Sequence, residues 1–190
     1  MNAFEYAIAM WSILMGLAVA DLILSANRLF RHPGGVRWDG RIVVAASLVM
    51  LELIRIWFAQ WSLANSPSAV SFPAFIAMCV HVGLLVFLAV AALPDDTQET
   101  DLTAYYDRNR RYFWGLFAAC HAVYFSLWLA FFKGGISTIG DAATIDWVRM
   151  IAPLVVYLAL VFIRRRWLDY LGPLAIGIFY LWLYRDQVIG

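Results

Sequence analysis

The chain has 190 residues, of which 64% are hydrophobic and only 14% are charged, and its mean hydropathy is +0.75. Soluble domains average about 25% charged residues, so this composition excludes an ordinary soluble domain and predicts a polytopic membrane protein. The formal net charge of +1 gives no case for nucleic acid as a partner, and the hydrophobic composition makes the lipid bilayer the first partner to expect.

Six apolar segments follow one another along the chain, and a helix needs about 20 residues to cross a bilayer core. The first three predicted helices cover residues 4–26, 42–63 and 73–92. The connection after the first is rich in arginine and is broken by Pro33, Gly34 and Gly35. The third helix begins at Pro73, which a first helical turn tolerates, and Pro94 stops it.

The polar segment 93–113 separates the first three helices from the last three. Thr97 and its acidic neighbours predict a short helix at the surface that carries Tyr105 and Tyr106. The last three predicted helices cover residues 112–132, 147–163 and 171–184. The predicted fold class is therefore all-α: one transmembrane domain over residues 1–190, a bundle of about six transmembrane helices.

Basic residues are spread unevenly over the predicted connections. The connections after the first, third and fifth helices hold Arg28, Arg31, Arg37, Arg41, Arg108, Arg110, Arg111, Arg164, Arg165 and Arg166. The opposite side holds Lys133, Arg149 and Arg185. Positive residues concentrate on the cytoplasmic side of membrane proteins. Both chain termini are therefore predicted to lie on the non-cytoplasmic side.

Three segments carry a resemblance to known sequences. They are GLAVADLILSANRLFR (residues 16–31), LPDD (93–96) and DLTAYYDRNRRYFWGL (101–116). Together they resemble a group of small bacterial inner-membrane proteins with six helices and uncharacterised function. The resemblance covers most of the chain. It implies a multi-pass protein of the bacterial inner (plasma) membrane, and it implies no activity.

The second apolar segment carries two opposite charges near its centre. Glu52 and Arg55 are three positions apart, which places both on one face of a helix. A charge at the bilayer centre costs about 2.5–3.5 kcal/mol on insertion scales, so the pair must face protein or a water-filled cavity. Asp21, on the later part of the first helix, completes a predicted cluster because the long side chain of Arg55 can reach towards it.

Three interpretations of Asp21, Glu52 and Arg55 stay open. In the first, the group forms a proton or ion path, because two acids against one base leave one carboxylate without a cation. The protein is then a small ion- or proton-linked channel or transporter, and a pore would need a homo-oligomer. In the second, the pair only fixes helix packing in a non-catalytic membrane accessory or assembly protein. In the third, a helix boundary is drawn wrongly.

Two histidines form a second group. His81 and His121 lie at similar depth on the third and fourth helices, which are antiparallel neighbours in the predicted bundle. Such a pair can ligate a b-type haem, which would make the protein an electron carrier, or a metal ion helped by Cys79 and Cys120. The alternatives are histidines hydrogen-bonded within the bundle, or a proton relay with the acids.

The remaining polar residues predict lipid contacts. Arg110, Arg111, Arg164, Arg165 and Arg166 lie next to predicted helix ends, where they are expected to meet lipid headgroups. The motifs GxSxG, HExxH, CxxC and the P-loop do not occur in the sequence. The sequence therefore contains no motif that indicates an enzyme class. No cofactor is expected apart from the haem of the alternative hypothesis.

Overall fold

The computed structural model describes residues 3–61, 71–95, 99–132 and 141–185. Within these ranges the chain forms six α-helices and no strand. The helices are α1 Ala3–Phe30, α2 Gly40–Trp61, α3 Phe72–Ala92, α4 Leu102–Leu127, α5 Asp141–Phe162 and α6 Arg166–Tyr184. A short π-helical segment, Trp128–Phe132, continues α4. The predicted all-α fold class is confirmed.

Four of the described helices are long and apolar enough to cross a membrane. These stretches are Tyr6–Phe30, Gly40–Ala59, Phe72–Ala92 and Leu102–Ala130. The apolar part that the structure describes in α5, Met150–Phe162, is shorter. Length and composition alone thus favour a membrane protein, in agreement with the sequence.

The start of α4 differs from the prediction. The helix begins at Leu102, about ten residues early, so Tyr105 and Tyr106 belong to α4 and not to a separate surface helix. Asp101 caps this end, because its carboxylate accepts a hydrogen bond of 2.9 Å from the backbone N–H of Thr103. Tyr106 is buried, so the polar segment contributes to the core.

Helix α2 occupies the middle of the bundle. It packs against α1, α3, α4 and α6, while α1 packs on α3 and α4 packs on α3 and α5. The ring of Phe117 stacks on Trp114 of the same helix, α4, at 5.3 Å and on Tyr157 of α5 at 4.8 Å between centroids. Aromatic pairs of this kind stabilise a core beyond their buried area. Because four helices pack against α2, its inner face is covered by protein.

The connections after α1 and α3 meet at one end of the bundle. The backbone N–H of Arg37 donates to the carbonyl of Thr100 at 2.8 Å, and the N–H of Leu102 donates to the carbonyl of Arg37 at 3.2 Å. Arg110 of α4 reaches Asp169 of α6 at the same end. We call this the arginine-rich end, since the connections predicted to be cytoplasmic converge there.

Candidate functional site

The two charges predicted at the centre of α2 form a buried ion pair. Nε of Arg55 donates to Oε2 of Glu52 at 2.9 Å, and Nη2 donates to Oε1 at 2.6 Å. The two residues are only 2% and 6% exposed. A bidentate guanidinium–carboxylate pair is among the stronger hydrogen-bonded arrangements, and here it lies within one helix. The spacing of three positions is what allows it.

Aromatic side chains enclose the guanidinium of Arg55. It lies over the ring of Tyr124 at 5.0 Å and over the ring of Tyr180 at 4.6 Å, measured to the ring centroids. Nη1 of Arg55 is 3.4 Å from the hydroxyl of Tyr184, a long hydrogen bond. Cation–π contacts gain strength where water is excluded. The charge of Arg55 is thus stabilised by α4 and α6 as well as by its own helix.

The two predicted histidines belong to the same site. The His81 ring is 5.6 Å from Tyr124, and the His121 ring is 5.8 Å from Tyr157, between centroids. Both histidines are almost fully buried, and the Tyr124 ring that His81 contacts also lies against the guanidinium of Arg55. The hydroxyls of Tyr157 and Tyr180 are 3.3 Å apart. We call the whole group the polar core; its members are Glu52, Arg55, His81, His121, Tyr124, Tyr157, Tyr180 and Tyr184.

The ring nitrogens of the two histidines differ in their hydrogen bonding. Nε2 of His121 is 2.8 Å from the carbonyl oxygen of Met150, three residues before Pro153 in α5. A carbonyl only accepts, so this geometry assigns the proton of His121 to Nε2. Nδ1 of His121 and both ring nitrogens of His81 have no hydrogen-bond partner among the described residues. Buried polar atoms of this kind are where water or a moving proton is expected.

The two histidines present few nitrogen atoms that could bind a metal in this arrangement. A protonated Nε2 cannot be a ligand, so His121 has only Nδ1 to offer unless its bond to Met150 breaks. No group of three or more His, Cys, Asp or Glu side chains in the described ranges is disposed to hold a metal ion. Cys79 and Cys120 are free thiols. The haem hypothesis for His81 and His121 stays a prediction.

Asp21 is not part of the polar core, which corrects the predicted cluster. The charges that act on its carboxylate are those of Asp95 and Arg28. Arg28 Nη2 donates to Asp95 at 2.8 Å and to the hydroxyl of Ser25 at 2.7 Å. The physical reason is that Arg55 folds back onto Glu52 within α2, while Asp21 lies near the arginine-rich end.

A second ionic cluster at the arginine-rich end was not predicted. Arg41 donates to both carboxylate oxygens of Asp39 and to Asp107 at 2.8 Å. Arg110 donates to Asp169 at 2.9 Å and to the carbonyl of Ile163 at 2.5 Å. Because Asp169 is also 4.0 Å from Arg41, the two pairs form one network. We call it the ionic network; its members are Asp39, Arg41, Asp107, Arg110 and Asp169.

The electrostatics of Asp39 and Asp101 follow from their neighbours. Burial of Asp39 raises its pKa, but hydrogen bonds and the charge of Arg41 outweigh this and hold the pKa below its ordinary value. The backbone N–H of Ala104 is the main cause of a lowered pKa at Asp101, and Arg37 adds to it. Both carboxylates are therefore ionised at neutral pH.

Arg110 was predicted to contact lipid headgroups, and that prediction is wrong. Its side chain is only 5% exposed, because α4 turns it towards Asp169 and the end of α5. The sequence contains little sign of this partner, because the prediction placed Asp169 in a tight turn before the last helix. In the structure α6 already begins at Arg166, so Asp169 lies in its first turn. Arg111, Arg164, Arg165 and Arg166 are exposed, and their contact with lipid stays a prediction.

Comparisons of the chain with protein-family models, with curated proteins and with solved structures gave no match. The geometry of the polar core therefore carries the functional argument.

Proposed function

We propose that this chain is a small inner-membrane protein of bacteria that moves protons or ions through its polar core, as a channel or transporter. One observation carries the proposal: the buried Glu52–Arg55 pair lies in the central helix beside histidine nitrogens that have no described partner. Ionisable groups inside a membrane are costly and commonly mark ion or proton pathways.

The proposed proton carriers are the histidines. Both oxygens of Glu52 are held by Arg55, so the carboxylate accepts a proton only when that pair opens. His81 and Nδ1 of His121 each present a lone pair without breaking an ion pair. A water molecule between them would connect the two rings, and Tyr124 lies within ring contact of both.

We further propose that all six helices cross the membrane, with the arginine-rich end in the cytoplasm and both termini on the other side. At 1.5 Å per residue the 19 residues of α6 span about 28 Å, close to the roughly 30 Å of a bilayer core. Six helices leave little room for a path inside one chain, which supports a homo-oligomer as the form that encloses a path.

A second candidate is a membrane accessory or assembly protein in which the polar core only fixes helix packing. The observation that favours it is the closed geometry of the pair, since Arg55 satisfies both oxygens of Glu52 inside one helix. Buried charged groups of this kind can specify one arrangement of helices without any transport.

Proton flux into proteoliposomes tests the two candidates. The purified protein is reconstituted with an internal pH dye, and a pH gradient is applied with valinomycin and K⁺ to prevent charge build-up. We expect flux above empty liposomes, and a decrease of about tenfold or more for His81→Gln, because glutamine cannot carry a proton. His32→Gln, in the connection after α1, is the matched control and should conduct normally.

Flux of the wild-type protein equal to that of empty liposomes would refute transport of protons and favour the accessory candidate. Equal flux in wild type and in a folded His81→Gln variant would remove His81 from the path. Thermal unfolding in detergent separates a folded variant from a damaged one.

A further inference from the structure

The arginines at the arginine-rich end fall into two groups. In the first group, each guanidinium is bonded to a carboxylate of the chain. The members of this group are Arg28, Arg37, Arg41, Arg108 and Arg110. A guanidinium paired in this way attracts a further anion only weakly, because the carboxylate already neutralises its charge. These five arginines therefore serve the contacts within the bundle.

The second group has no carboxylate partner among the described residues, and all of its side chains are exposed. The members of this group are Arg31, Arg111, Arg164, Arg165 and Arg166. Asp169, the acidic residue in the first turn of α6, does not pair with them, since it is buried in its bond to Arg110. The charges of this second group are therefore available to an anion from outside the bundle.

Four of the five unpaired arginines lie at one corner of the bundle. Nη2 of Arg110 donates to the carbonyl of Ile163 at 2.5 Å, which holds α4 against the end of α5. Arg111 and Arg164 are the next residues after these two contacting positions, and the two following arginines begin α6. We call this group the arginine patch; its members are Arg111, Arg164, Arg165 and Arg166.

Exposed aromatic side chains lie directly beside the arginine patch. Phe162, the last residue of α5, is 75% exposed, and Trp167, in the first turn of α6, is 60% exposed. Tyr112 follows Arg111 in α4 and is exposed as well. Aromatic residues at the ends of membrane helices lie at the level of the lipid headgroups. This combination favours the phosphate of a lipid over the acidic surface of a soluble protein.

We propose that the arginine patch binds the headgroup of an anionic phospholipid in preference to a zwitterionic one. Guanidinium groups form paired hydrogen bonds with phosphate, and they attract the net negative charge of an anionic lipid. The choline group of a zwitterionic lipid brings its own positive charge to the four arginines and reduces this attraction. The proposal requires only that the bundle lies in a membrane, and it is independent of proton or ion transport.

Native mass spectrometry measures this preference on the unmodified protein. The purified full chain in detergent is mixed with equal amounts of phosphatidylglycerol and phosphatidylcholine that carry the same acyl chains, and the bound lipids are counted. We expect phosphatidylglycerol to be retained about tenfold more than phosphatidylcholine. A higher concentration of ammonium acetate should reduce this ratio, because salt screens exposed charges.

Two double variants form a matched pair, because each removes two exposed positive charges from the same end of the bundle. Arg164→Gln with Arg166→Gln takes them from the arginine patch and should lower the ratio about tenfold. Arg37→Gln with Arg108→Gln takes them from arginines already bonded to carboxylates and should change the ratio by less than about twofold. Thermal unfolding in the same detergent shows whether each variant is folded.

Four outcomes would overturn the proposal. Equal retention of the two lipids by the wild-type chain would mean that the patch has no preference. Equal losses in the two folded double variants would mean a general attraction by the charge of this end. Displacement of phosphatidylglycerol by inorganic phosphate, at the concentration of the lipid, would assign the patch to a free phosphate. Displacement by a polyglutamate peptide would assign it to an acidic protein.

Discussion

At the scale of single residues, Arg55 shows how a full charge is kept inside an apolar bundle. Burying either member of the pair carries a desolvation cost of several kcal/mol. The two bonds to Glu52 and the rings of Tyr124 and Tyr180 offset that cost for the guanidinium. Removing one partner leaves the other charge buried without compensation.

Arg55→Gln should therefore lower the free energy of unfolding by about 3–5 kcal/mol. The double variant Glu52→Gln with Arg55→Gln should recover most of this loss, because two amides can hydrogen-bond to each other without a buried charge. Equilibrium unfolding in detergent, titrated with denaturant, measures both. A double variant as unstable as Arg55→Gln alone would show that the charges themselves, and not their balance, stabilise the bundle.

The residues of the polar core differ in how far the sequence predicts them. Glu52 and Arg55 are local partners, so their spacing alone predicts the pair. His81 and His121 could be matched in depth, but their contact with the pair depends on how α3 and α4 rotate against α2. Asp21 was assigned to the wrong cluster because the length of the Arg55 side chain does not predict the direction in which that side chain points. The tyrosines carried no distinguishing sequence signal.

At the scale of elements, α4 shows why a run of basic residues cannot be interpreted from composition. Successive residues of a helix point about 100° apart, so neighbours in the run can have opposite environments. Arg110 is buried against Asp169, while Arg111 is exposed. To predict which of the two arginines is buried, one must know that the helix begins at Leu102. The polar sequence before residue 112 gives no hydrophobic pattern from which that start could be predicted.

Arg110→Gln and Arg111→Gln form a matched test of this difference. Arg110→Gln leaves Asp169 without its bonded partner and should lower the free energy of unfolding by about 3–5 kcal/mol. Arg111→Gln should change it by less than about 0.5 kcal/mol, as is usual for exposed positions. Denaturant unfolding of the two purified variants in the same detergent compares them. Equal losses would contradict the ionic network as a source of stability.

At the scale of the whole molecule, the helices arrange the arginines into one charged end. Two backbone hydrogen bonds of Arg37, one with Thr100 and one with Leu102, join the connections after α1 and α3. The ionic network brings the start of α6, next to the connection after α5, to the same end. The alternation of helices made this convergence predictable from sequence, because odd-numbered connections lie on the same side. The ionic bonds themselves were not predictable, since they join residues far apart in the chain.

Cysteine accessibility tests the proposed orientation. In a background without Cys79 and Cys120, Arg164→Cys should react with a membrane-impermeant maleimide only in inverted membrane vesicles, since basic connections stay in the cytoplasm. Ser66→Cys, in the connection between α2 and α3, should react only in intact spheroplasts. Reaction of both variants from the same side would refute either the orientation or the number of crossings.

The ionic network also bears on how the chain is completed during synthesis. Arg110 and Arg41 emerge from the ribosome before Asp169, which α6 supplies. Until that carboxylate arrives, Arg110 lacks its final counter-ion, and the nascent bundle carries an uncompensated charge. Arg110 therefore gains its counter-ion only once α6 has been made and Asp169 has come within reach of it.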